Sequence, residues 1–303
     1  MSFDALLELY SDLATVIQRG GRVYPAALER YDDAPLEDLV KPSTQPLWID
    51  PRLRAAGQDH LEAVARRSPQ MHDGRVLACT AVDGPAIKCA AGSFFDAILT
   101  SDSLRAEYVE NASRGRAARA GLSALPLREL AHEAAGRDVL RCGRGRVAAI
   151  GVSVAVTLPS QPARALVLGL RSDDLATDPG IWHVAPSGTL EPGDTDPLIG
   201  VVARELSEEL GIRLGTADDL AGRLTPLGVG FDLLRLRPEI CLRLDLNRHE
   251  YPPGGPHLSA SEFRDRRLVE LSAASMNRFW QTHPPKTLTP AAAATIGLLE
   301  ACS

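Results

Sequence analysis

Residues 204–212 read Arg-Glu-Leu-Ser-Glu-Glu-Leu-Gly-Ile, and they close a stretch in which Ile199, Val202, Leu206 and Leu210 recur at helical spacing. Gly211 is placed to end that helix in the left-handed conformation that side chains disfavour. A helix over 198–210 must bury its apolar side, which leaves Glu205, Glu208 and Glu209 projecting from the other. Like charges three and four residues apart repel by a few tenths of a kcal/mol per pair, and carboxylates near a helix C-terminus oppose its dipole. Both costs disappear if a divalent cation sits among the glutamates. The competing reading is a solvated acidic stripe, which the helix alone does not exclude. Oxygen donors of this kind select hard ions such as Mg²⁺ or Mn²⁺, which keep several waters and bridge to substrate phosphates.

The helix lies within a β-rich surround. Two runs, "VAAIGVSVAVTL" and "ARALVLGLR", are separated by "PSQP" and predict an antiparallel pair. A long segment with turn chemistry follows, holding a short strand at 181–185, and loops of that length inside a compact domain are usually functional. Beyond the helix, "LTPLGVGFDLL", "EICLRLDL" and "RRLVEL" predict further strands. Thr289 and Pro290 open a last helix as cap and first-turn residue.

Upstream, Leu6, Leu9, Tyr10, Leu13, Val16 and Ile17 predict one helix from Ser2 to a stop at Gly20-Gly21. Residues 22–72 predict short helices and loops around Trp48, and "RVLACTAVDGPAIKCAAG" a hairpin. Helices follow within "FFDAILTSDSLRAEYVE" and over 127–136. The "CGRGR" at 142–146 reads as a linker or loop, lacking the lysine and hydroxyl of a phosphate-cradling loop. The expected division is an α+β unit over 1–145 and a second domain over 146–303.

Composition removes several classes of function. The net charge is −6 and no basic block exceeds two adjacent arginines, so no footprint for nucleic acid or an anionic membrane is present. The five cysteines are scattered without a C-x-x-C pair, which predicts idle thiols in a reducing cytoplasm. Asp4, Glu8 and Asp12 interrupt the apolar N-terminus, so it is read as neither signal peptide nor membrane span.

The helix and the "PSGTLEPGD" before it together resemble the Nudix hydrolase family. That family's box runs Gly, five residues, Glu, seven residues, then Arg-Glu-aliphatic-x-Glu-Glu-x-Gly-aliphatic, and residues 204–212 match every specified position of its second half. The first half departs from the pattern. Gly188 fits, but Asp194 stands for the glutamate and nine residues separate it from Arg204; counting back from Arg204 reaches Asp196 instead. The resemblance implies an α/β/α sandwich around a mixed sheet over 146–285. It also implies that Glu205, Glu208 and Glu209 hold the metal, Mg²⁺ or Mn²⁺, with Glu208, Glu209 and Arg204 serving catalysis. Arg204 would orient a carboxylate, and Gly188 and Gly211 would serve turns.

The implied reaction is hydrolysis of a nucleoside diphosphate linked to another moiety, a nucleotide sugar by preference, giving a nucleoside monophosphate and a sugar phosphate. This follows from a faint likeness to UDP-sugar pyrophosphatases. A general base is also required, with Glu239, Glu250 and Glu262 as candidates. Trp182 and His183 could stack on a base or touch phosphate, alongside Gly188; a core tryptophan and a satisfied histidine are the bland alternatives, as for Phe231 and Tyr251. The N-terminal unit suits a substrate larger than a nucleoside triphosphate, or a homodimer contact. A ligand-sensing module that has lost catalysis is the alternative function.

Overall fold

A computed structural model describes residues 2–31, 34–114, 121–193, 196–252 and 255–302. Among these the strands are, in chain order, β1 (Thr15–Arg19), β2 (Arg22–Arg30), β3 (Val40–Pro42), β4 (Arg75–Asp83), β5 (Ala86–Ser93), β6 (Ala148–Ala149) and β7 (Gly151–Leu158). They continue with β8 (Ala165–Arg171), β9 (Trp182–Val184), β10 (Ser187–Thr189), β11 (Leu224–Asp232), β12 (Arg237–Asp245) and β13 (Phe263–Glu270).

The larger sheet runs β1-β2-β11-β12-β7-β8-β13, with β10 on β7 and β9 on β8. It is mixed: β12 and β7 are parallel and the other pairs antiparallel. Every residue of β7 is buried, as the unbroken apolar run requires of a strand covered on both faces. Val152, Val154 and Val156 pack in one cluster with Leu198, Val202 and Leu206 of the acidic helix, Pro197–Leu210. Ala155 packs in another with Ala292, Ala293 and Ile296 of the C-terminal helix, Pro290–Ala301. The result is the α/β/α sandwich around a mixed sheet. A smaller sheet, β3-β5-β4-β6, contains the expected hairpin, with Asp83 opposite Ala86. No helix among the described residues is long and apolar enough to cross a membrane.

Three expectations are corrected. The N-terminal helix stops at Tyr10, and residues 15–30 form a hairpin instead. Gly20 and Gly21 have φ of 57° and 70°, so they make the two-residue reversal between Arg19 and Arg22 that twisted hairpins favour, not a helix stop. Val16 and Ile17 are both buried because the strand lies between two layers, which imitates helical spacing.

Second, β2 adds to β11, with Ala27 opposite Phe231, so the large sheet crosses the division expected at 145/146. Third, of the linker or loop expected at 142–146, the structure has a packed loop. Arg146 is fully buried, its Nε donating to the Leu236 carbonyl at 3.0 Å, and Gly143 lies so close to the Cys79 carbonyl that a Cβ would be 1.7 Å from it. The cysteines are free, with Cys79, Cys89 and Cys241 buried.

Candidate active site

The acidic helix is fixed at both ends by its own sequence. The Asp196 carboxylate accepts from Leu198 N and Ile199 N at 3.0 and 3.1 Å, and Gly211 ends the helix with φ of 65°. Asp196 is therefore a helix cap; Asp194 lies outside the described residues.

Strand β10 lies directly against this helix because Gly188 has no side chain. A Cβ there would stand 2.8 Å from Val201 Cγ2 and 2.9 Å from Glu205 Oε1. One residue earlier, Ser187 N donates to Glu209 Oε2 at 3.2 Å. Arg204 bridges Glu205 at 3.3 Å and Glu191 at 3.2 Å, and so steers the Glu205 carboxylate.

A third carboxylate arrives from another segment. Ser259 N donates to the Glu209 carbonyl at 2.8 Å, and Ser172 N to the Glu262 carbonyl at 2.8 Å, which fixes residues 259–262 beside the helix end. Glu205, Glu209 and Glu262 all line one cavity of about 230 Å³. Burial pushes the Glu205 carboxyl up to about 7, against the opposing pull of Arg204. Glu209, 4 % exposed, is pushed well above its ordinary value by burial and then by the charges of Glu205 and Glu262. Glu208 is exposed and does not line the cavity.

Guanidinium and neutral donors face these carboxylates. Arg171 and Arg237 line the cavity, and in each the buried Nε has no hydrogen-bond partner among the described residues. His183 also lines it, with Nδ1 2.7 Å from Thr289 Oγ1. Burial, with Arg171 nearby, pushes His183 down to about 3, so the ring is neutral at physiological pH.

Glu239 is on the far side of the same cavity. It fits there because Gly151 leaves its Cβ position open, 1.9 Å from Glu239 Oε2. Its Oε1 accepts from Ser153 Oγ at 2.5 Å, and burial pushes its carboxyl up to about 7.

Other candidates are placed elsewhere. Trp182 has Arg267 over its ring at 5.2 Å and its edge against His283, and does not line the cavity. Glu250 is held by Arg223 at 2.5 and 2.9 Å, Phe231 is fully buried, and Tyr251 lies under Arg248. Sequence reasoning passed over Asp102, Asp178, Asp232 and Arg171, which all line the cavity. It also passed over Arg235, which is fully buried and pairs with all three aspartates. A signal was present: an arginine within the apolar run 231–236 has to be compensated from inside the fold.

A divalent cation fits the donor chemistry of the helix side. Among the described residues no three His, Cys, Asp or Glu side chains enclose an ion as they stand. Even so, Glu205 and Glu209 are oxygen donors whose buried charge Arg204 and Arg171 only partly offset, with Glu262 lining the same cavity.

A family model described as the NUDIX domain matches residues 149–290. These residues form a Nudix domain. It holds the cavity's carboxylates from the acidic helix, β12 and residue 262. No curated protein matches the chain. Solved structures similar to it include a Deinococcus radiodurans protein, at 16% identity and a TM-score of 0.29 over 40% of this chain and 65% of that one. A bifunctional NMN adenylyltransferase/ADP ribose pyrophosphatase of Francisella tularensis, complexed with AMP and Mn ion, is 19% identical with a TM-score of 0.34, over 51% of this chain and 42% of its own. A NUDIX hydrolase from Alicyclobacillus acidocaldarius is 15% identical with a TM-score of 0.38, over 51% and 91%. The chain thus spans less than two thirds of the first two. The sheet that carries the matched residues extends beyond them, since β1 and β2 lie on it and most of the C-terminal helix packs on one of its faces.

Proposed function

We propose that the chain hydrolyses the diphosphate bond of a nucleoside diphosphate linked to another moiety, a nucleotide sugar, releasing a nucleoside monophosphate and a sugar phosphate. The observation that carries this reading is one cavity lined both by Glu205 and Glu209, whose charge is only partly offset, and by Arg171, whose buried Nε has no hydrogen-bond partner among the described residues. Glu205 and Glu209, which line the cavity, would hold Mg²⁺ or Mn²⁺, with the exposed Glu208 next to them on the helix. Such an ion neutralises charge on a diphosphate and lowers the pKa of water.

The remaining roles belong to the chain. Arg171 donates to a phosphate oxygen through its free Nε and holds the diphosphate against the carboxylates. Arg204 orients Glu205, and Gly188 lets β10 approach closely enough for Ser187 N to orient Glu209. Of the two candidate bases in the cavity, Glu262 is the one whose charge acts on Glu205 and Glu209, so it is assigned to accept the proton of the attacking water. Glu239 instead feels Arg237, Asp232 and Arg235. His183, neutral and fixed by Thr289, offers its other ring nitrogen to the substrate.

Incubating the whole chain with Mg²⁺ and a panel of nucleoside diphosphate sugars, ADP-ribose and nucleoside triphosphates tests this. The expected result is a nucleoside monophosphate plus a sugar phosphate, lost in Glu209→Gln. Turnover unaffected by that substitution, or none with any member of the panel, would overturn the proposal.

A further inference from the structure

Phe94, Ala97 and Asp102 line the cavity although they lie outside residues 149–290. Their segment is fastened to the start of the Nudix domain, since Ser101 Oγ donates to the Val147 carbonyl at 2.9 Å and Val147 N donates to Thr100 Oγ1 at 2.9 Å. Arg235 Nε then donates to Asp102, and the same guanidinium pairs with Asp178 at 2.9 Å and Asp232 at 2.8 Å. The wall these residues make is rigid and belongs to the cavity as built.

Its chemistry differs from that of the helix side. A carboxylate has about four acceptor sites. Arg235 Nε accounts for one at Asp102, so acceptors remain. Glu239 is 3 % exposed, and among the described residues only Ser153 bonds it, through Oε1, leaving Oε2 without a partner at the cavity wall. Half-buried Phe94 adds a flat apolar face, and Ala97 and Ala149 are small enough to leave room beside it. Arg235 offsets the charge of Asp102, and Arg237 lies near Glu239, but neither fills the remaining acceptor sites, and hydroxyl groups can donate to these without bringing charge. An aromatic face next to hydroxyl acceptors suits a ring that is apolar on its faces and hydroxylated around its rim.

We infer that Phe94, Asp102 and Glu239 form a hydroxyl-binding subsite for the sugar of the substrate, supplied in part by the N-terminal region. The inference rests on the diphosphate reading for the direction in which the substrate lies.

The test compares the wild-type chain with Phe94→Ala and Asp102→Asn, the latter keeping an acceptor for Arg235. One arm measures kcat/KM for a nucleoside diphosphate sugar and for the nucleoside diphosphate alone. Discrimination between them should fall at least about tenfold in each variant, mainly through KM for the sugar nucleotide. The second arm titrates the sugar 1-phosphate into each protein in EDTA by calorimetry, where affinity should fall similarly. Wild-type turnover with unchanged discrimination in both variants would overturn the subsite and leave the hydrolase reading standing. If the wild type turns over nothing, calorimetry decides: weaker binding in the variants supports the subsite, while equal binding, or none to the wild type, overturns it. If Phe94→Ala does not fold, Phe94→Leu, which fills most of the space without a ring face, replaces it.

Discussion

Two groups of buried carboxylates face the same cavity and behave in opposite ways. Asp102, Asp178 and Asp232 share the fully buried Arg235. Burial alone would raise the Asp178 carboxyl, but Arg235 and Arg105 more than offset it and hold it well below the usual carboxylate range. Glu205 has only the part-exposed Arg204 and Glu209 only the nearby charge of Arg171, too little to offset burial, which pushes both up. The depth of burial is similar, so compensation separates them. A buried acid matched by the protein's own cation fastens the fold, and one left unmatched is waiting for something the protein binds.

This contrast yields a ranked set of outcomes. The largest effect is expected for Glu209→Gln, which should lower kcat by about a thousandfold, since a metal site supplies several kcal/mol to such a reaction. Without metal the same variant should be at least as stable as wild type in urea at pH 8, because it removes a buried charge that is only partly offset. A loss of metal-free stability there would break the comparison. Arg235→Met should do the reverse, costing about 3–5 kcal/mol of stability in urea denaturation by removing the cation that Asp102, Asp178 and Asp232 share. Little change in the midpoint would show that the knot is not a fastening.

Arg204→Ala comes next, with kcat/KM reduced about tenfold, the size expected when a residue orienting a metal ligand is lost. The smallest effect is a pH dependence. Glu205 titrates near 7 when folded and near 4.5 when unfolded, so between these values the folded state holds a proton that the unfolded chain has lost. Its contribution therefore lowers stability as pH rises through that window. His132 and His183, held neutral by burial, act with the opposite sign in part of it, so the quantity to read is the difference in metal-free Tm between wild type and Glu205→Gln. The variant should gain on wild type from pH 4.5 to 7, and saturating Mg²⁺ should remove the gain. A flat difference would mean that Glu205 is already compensated.

The helix side was legible because everything it needs is local: a cap, a period, a glycine stop and adjacent glutamates within residues 196–211. The opposite wall was not, because Phe94, Asp102, Asp178 and Asp232 come from separate segments and carry no common spacing. Strands β7, β8, β11, β12 and β13 and the C-terminal helix could be read from composition and turn chemistry. Strand β1 could not, since consecutive buried residues bounded by two glycines satisfy a helix pattern and a two-layer strand equally well, and what decides is its pairing with β2, which the distant β11 holds in the sheet.

The pairing of β2 with β11 also bears on how the molecule assembles. Ala27 and Phe231 are roughly two hundred residues apart in sequence, and contacts of such long range slow folding because a large loop must close before they form. During synthesis the β1–β2 hairpin is made first and keeps an open edge until β11 has been made. Residues 149–290 expressed alone would expose the matching edge of β11 and lack most of the C-terminal helix that covers it. The segment that carries the family pattern is therefore not an independent folding unit, and the slow step in refolding should be the docking of that N-terminal hairpin.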